Sequence, residues 1–184
     1  MPDTATVFAR PNHPHSTADT ICVAENEGSS LNNIREAIIS CTKEVFRCML
    51  QWEVQDISDS SNPQSINDDT TCCGIVGLSG PARGSVVVNF PASVAMAATE
   101  GFLGSPPNSV DSDVVDTVGE LTNMIGGSSK DSLPLAGILL GLPTVIVGKS
   151  QSIAFDQGVQ MEFFQFSTPH GNFTVEIAFC AGRR

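Results

Sequence analysis

Basic residues are scarce in this chain of 184 residues, with 9 Lys plus Arg against 20 Asp plus Glu and a net charge of −11. Phosphate contacts need clustered Lys and Arg, so neither nucleic acid nor an anionic membrane surface is an expected partner. Long apolar runs are missing too. The longest, 133–148, is interrupted by Pro134, Gly137, Gly141 and Pro143, and a bilayer span needs about 20 apolar residues. Residues 1–33 hold Pro, His, Ser, Thr and acids where a secretory signal would hold an apolar segment. The cytoplasm is the expected compartment. No Cys-x-x-Cys occurs among the six cysteines, and Cys72 adjoins Cys73. Such spacing suits neither a disulfide framework nor a zinc site, and the thiols read as reduced, buried small apolar residues. His13, His15 and His170 lie in a polar tail and a turn, so no metal site is expected. Gly-rich phosphate loops, a G-x-S-x-G elbow and H-E-x-x-H are all lacking.

What is present reads as one domain with two ends of different character. Residues 1–29 are polar and carry no apolar periodicity, which predicts a flexible arm ahead of a domain over 30–184. Ile34, Ile38, Cys41, Val45, Met49 and Trp52 keep helical spacing and predict a helix over 30–52, started by an Asn33-to-Glu36 capping box. Residues 56–71 are polar and predict a surface loop. Segments 72–78 and 84–90 predict a hairpin, and Val86, Val87 and Val88 suit a central strand. Pro91 opens a second helix over 92–103, stopped at Gly104. A third begins near Asp111 and runs through Gly127. A short strand follows Pro143, and 160–166 with 172–179 predict a second hairpin. Strands joined by hairpins predict an antiparallel sheet, class α+β, with the two long helices packed on one face.

The third helix has two faces. Val114, Val118, Leu121 and Ile125 form an apolar stripe, and Asp116, Glu120, Asn123 and Gly127 lie opposite at about 100° per residue. Glu120 and Asn123 stand side by side one turn apart. This pair is a poor covalent nucleophile but can position a water, because a carboxamide both donates and accepts. Exposed Glu-x-x-Asn pairs are also common on plain solvated helix faces. Gly119, Gly126 and Gly127 each cost a helix interior about 1 kcal/mol, which points to something approaching closely. The first helix repeats the spacing as Ser40, Glu44 and Arg47, with a guanidinium where the carboxamide stands. The repeat predicts pseudo-duplicated halves.

The run Asp116-x3-Glu120-x2-Asn123, followed by a strand-opening Pro143, resembles the signature of the CheC/CheX/FliY family of response-regulator phosphatases. Gly119 to Gly127 and Leu142 to Gly148 resemble its CheX branch, over about residues 31–180. The resemblance implies a CheC-like fold and hydrolysis of the aspartyl phosphate of a CheY-like receiver domain. It implies no cofactor of the chain's own, with Mg2+ held by the phosphorylated receiver. Asn123 would aim the attacking water and Glu120 would contact a receiver lysine, with Asp116, Gly126 and Gly127 against the partner. A homodimer through sheet edges is implied as well. The competing reading is a non-catalytic module of the same fold that binds a receiver or a flagellar-motor component.

Overall fold

Amphipathic segments in this chain sort into helices with one buried stripe and strands with one buried face. The computed structural model describes residues 27–59, 70–131, 133, 136–149, 153 and 159–181. Their order is α1 (Glu27–Leu50), β1 (Gln55–Asp56), β2 (Thr71–Ser79), β3 (Ala82–Pro91), α2 (Ala92–Leu103) and α3 (Ser112–Lys130), then β4 (Leu139–Leu140), β5 (Thr144–Gly148), β6 (Gln160–Thr168) and β7 (Gly171–Ala181). The expected arm falls almost wholly outside the described residues, as do His13, His15 and 60–69 of the expected loop. The described ends of that loop are ordered: Asp56 belongs to β1 and Thr71 opens β2.

All pairings are antiparallel, in the order β1-β6-β7-β3-β2, with β4 and β5 both on β2. Apart from β4 the order is a palindrome. The two hairpins, β2–β3 and β6–β7, meet at β3 and β7 in the centre. The short strand after α1 pairs with β6, and the short strand after α3 pairs with β2. Each closes the other half's hairpin, an arrangement that fits the expected duplication.

Alternation along the strands turns Val76, Val86, Val88, Phe90, Phe164, Phe173, Val175 and Ile177 toward the helices, where all are fully buried. Phe46 of α1 stacks on Phe173 at 4.7 Å and reaches Phe90 at 6.1 Å. Arg35 bridges to Glu162 at 2.6 Å and lies over the Phe164 ring at 4.9 Å, tying α1 to β6. α2 shares this core through Val94, Ala95 and Ala98. It starts at Pro91 and stops at Gly104, whose φ of 74° lets its N–H return to the Glu100 carbonyl at 2.7 Å.

Three sequence expectations shift. α1 begins at Glu27, so Asn33 and Glu36 lie inside the helix and not at its start. Trp52 falls beyond its end, after Gln51 turns left-handed at φ 58°, and packs on His170 at 4.4 Å. The described cysteines divide: Cys72 and Cys73 are buried, Cys41 and Cys180 are half-buried, and Cys48 is exposed, while Cys22 lies outside the described residues. Burial, then the Glu176 carboxylate, pushes the Cys73 thiol up to about 11.

Candidate functional site

α3 is held at both ends and along one side. At its start the Asp111 carboxylate accepts from the N–H groups of Asp113 at 3.1 Å and Val114 at 3.2 Å. Its last turn carries Lys130 against the negative helix end. Val114, Val118, Leu121 and Ile125 are fully buried, and each contributes about 1.5–3 kcal/mol by leaving water. The helix lies close on β2 because Gly74 has no side chain: a methyl there would overlap the Thr122 hydroxyl, which donates to the Val118 carbonyl at 2.7 Å.

With the apolar stripe sealed, the opposite stripe faces out. Asp116 and Glu120 are exposed, and Asn123 and Gly127 are half-buried beside them. Among the described residues neither the Glu120 carboxylate nor the Asn123 carboxamide has a hydrogen bond or ion pair within the protein. A carboxylate and a carboxamide one turn apart, both unengaged, are available to a partner.

The glycines behave differently from the expectation. Gly126 is buried, and a Cβ there would sit 2.5 Å from Val76 Cγ1. Gly119 is buried too, with room for a Cβ only 3.6 Å from Val145 Cγ2 and 3.9 Å from Pro143 Cγ. The close approach expected of Gly126 is therefore taken up inside the protein, by β2. Gly119 faces Val145 and the strand-opening Pro143 at ordinary contact distance. Of Asp116, Gly126 and Gly127, the structure leaves Asp116 and Gly127 on the outer stripe.

α1 carries the repeated spacing in a closed state. Ser40, Glu44 and Arg47 are exposed. The Arg47 guanidinium donates to Glu44 through Nε at 2.9 Å and through Nη2 at 2.6 Å. The Cys48 thiol donates to the same carboxylate at 3.0 Å. These bonds hold the Glu44 carboxyl at about 2, well below its ordinary value.

Sequence reading missed one feature beside the outer stripe. Phe102 and Leu103, at the end of α2, meet Asp113, Asp116, Thr117 and Glu120 around a cavity of about 260 Å³. The one signal was Leu103, a large apolar residue next to a helix-ending glycine. Among the described residues no group of three or more His, Cys, Asp or Glu is placed to share a metal ion. Nor is any described helix long and apolar enough to cross a membrane.

Comparison with known structures supports the architecture. A putative chemotaxis protein from Desulfovibrio vulgaris Hildenborough is 29% identical, with a TM-score of 0.67 over 80% of this chain and 96% of that one. Chemotaxis protein CheX from Vibrio vulnificus is 27% identical, with a TM-score of 0.66 over the same shares. CheX in the CheX–CheY–BeF3–Mg2+ complex of Borrelia burgdorferi shares the fold at 22% identity, with a TM-score of 0.61 over 79% of this chain and 97% of that one. No curated protein sequence gives a significant match. The family described as chemotaxis phosphatase CheX matches residues 72–167. That span holds both strands of the first hairpin, all of α3 and most of β6, and the chain belongs to the CheX family.

Proposed function

We propose that this chain removes phosphate from the aspartyl phosphate of a CheY-like receiver domain, by placing a water in line with the phosphorus. The observation that carries the reading is the unengaged Glu120 and Asn123 on the outer face of a rigidly seated helix. The Asn123 carbonyl oxygen accepts a hydrogen bond from the water and aims the water's oxygen at phosphorus, and the water's proton leaves on the released phosphate. The new P–O bond forms as the bond to the aspartate oxygen breaks, releasing phosphate and a carboxylate. An acyl phosphate is labile, so positioning and charge stabilisation are the protein's main tasks. Glu120 pairs with a receiver lysine and sets the register of the two proteins.

The Borrelia burgdorferi complex, a CheX bound to CheY with BeF3 and Mg2+, supports a receiver partner that brings its own Mg2+. That ion supplies charge neutralisation at the transferring phosphoryl group. The reading places the reaction in the cytoplasm with its receiver, and it includes a homodimer through sheet edges. β5 fits that role: among the described residues no strand pairs with its outer edge, and Ile146 and Val147 are 44% and 42% exposed.

The test loads the receiver domains of the source cell with acetyl phosphate and follows phosphate loss. The wild-type chain accelerates loss from at least one receiver, and Asn123→Ala does not. Acceleration of none removes the phosphatase reading. Equal rates for wild type and Asn123→Ala move the site elsewhere.

A further inference from the structure

The cavity between the end of α2 and the start of α3 adjoins the outer stripe, and of its lining the phosphatase reading uses only Glu120. Its walls are of two kinds. Phe102 is half-buried against the core and Leu103 is 57% exposed, and together they form an apolar wall. Asp113, Asp116 and Glu120 supply three carboxylates on the other side. Asp113 lies in the first turn of α3 and meets its positive end, whereas Asp116 and Glu120 lie farther along the helix. None of the three has an ion pair within the described residues, and they are not placed to share a metal. At about 260 Å³ the space falls short of the roughly 300–1,000 Å³ of small-molecule sites. An apolar wall facing carboxylates matches a long basic side chain, whose methylene stem packs on apolar surface while its cation meets the acids.

We propose that this cavity takes one Lys or Arg side chain from the surface of the receiver, beside the phosphorylated pocket, and so selects which receiver is served. The proposal rests on the receiver reading above. It adds a second contact, centred on Asp116, Asp113 and Leu103, one turn before the Glu120 contact. Asp116 and Glu120 border both places, so one docked surface reaches both. Asp116 and Leu103 act on binding rather than on the reacting atoms, so their loss changes KM and leaves kcat in place.

The experiment measures dephosphorylation of acetyl-phosphate-loaded receivers by wild type, Asp116→Lys, Leu103→Ser and Glu100→Lys. Glu100 is exposed on α2 outside the cavity, so Glu100→Lys controls for net charge alone. Asp116→Lys raises KM about tenfold with kcat unchanged and flattens its salt dependence. Leu103→Ser raises KM by a smaller factor, and Glu100→Lys matches wild type. Equal effects of Asp116→Lys and Glu100→Lys overturn the proposal, as does no effect of either. Should the wild type dephosphorylate no receiver, the phosphatase reading falls and binding of the same receivers loaded with beryllofluoride decides. Weakening specific to Asp116→Lys then supports the cavity contact, and no binding by any receiver overturns it.

Discussion

On α1, Glu44 accepts two hydrogen bonds from Arg47, at 2.6 and 2.9 Å, and a third from Cys48. On α3, Glu120 occupies the same place in the spacing and has no partner among the described residues. The two helices are alike on their inner faces, where Ile38 and Phe46 on one and Val118 and Leu121 on the other are fully buried. They differ around the glutamate, with Arg47 and Cys48 on α1 against Asn123 and Met124 on α3. A guanidinium three residues after a glutamate folds back and occupies it, whereas a carboxamide leaves it open. The difference between a finished surface and an available one thus lies in the side chains three and four residues after the glutamate, Arg47 above all.

The comparison breaks most severely from inside. Ile38→Ala and Leu121→Ala each destabilise by about 2–5 kcal/mol in urea unfolding, because both leave cavities in one shared core. Similar losses for the two show that the inner faces are equivalent. Next comes the outer face of α3: Asn123→Ala slows receiver dephosphorylation about 100-fold with the fold intact by circular dichroism. Glu120→Gln raises KM about tenfold with a smaller change in kcat, read from the same kinetics. Asn123→Arg copies α1 onto α3. The introduced guanidinium pairs with Glu120, and activity is lost in the same phosphate-release assay.

The smallest effect is the reverse copy, Arg47→Asn. The Glu44 carboxyl, held at about 2, returns toward its ordinary 4.5. Its folded value is depressed, so the stabilisation is present above pH 4.5 and is lost as pH falls toward 2. The gap between wild-type and Arg47→Asn urea midpoints is therefore greatest at neutral pH and closes near pH 2. It stays small throughout, because the pair is fully exposed and screened by water.

Long amphipathic elements were legible because their period repeats several times. The stripe Val114, Val118, Leu121 and Ile125 is buried as its spacing predicts, and the expected hairpin around Pro81 forms, with Val76 opposite Val86. β1 and β4 have two residues each, too few to show any period, and they exist only because neighbouring strands offer an edge. Gly119 and Gly126 of α3 were misjudged for a related reason. Spacing gives an angle around the axis but not what stands there, and Gly126 meets Val76 from a strand far away in sequence. The cavity at Leu103 was illegible because two helices share it, and no local pattern records their meeting.

The palindromic sheet has a consequence for how such a chain can change over time. β1 leaves its own half to close the hairpin of the other, and β5 does the same in return. A gene that discarded either half would strip the remaining hairpin of its border strand and bare a long edge. Deletion is thus barred where substitution is free, and α1 can let its outward chemistry lapse while its strand is still needed. The silent helix is kept for the neighbour it completes.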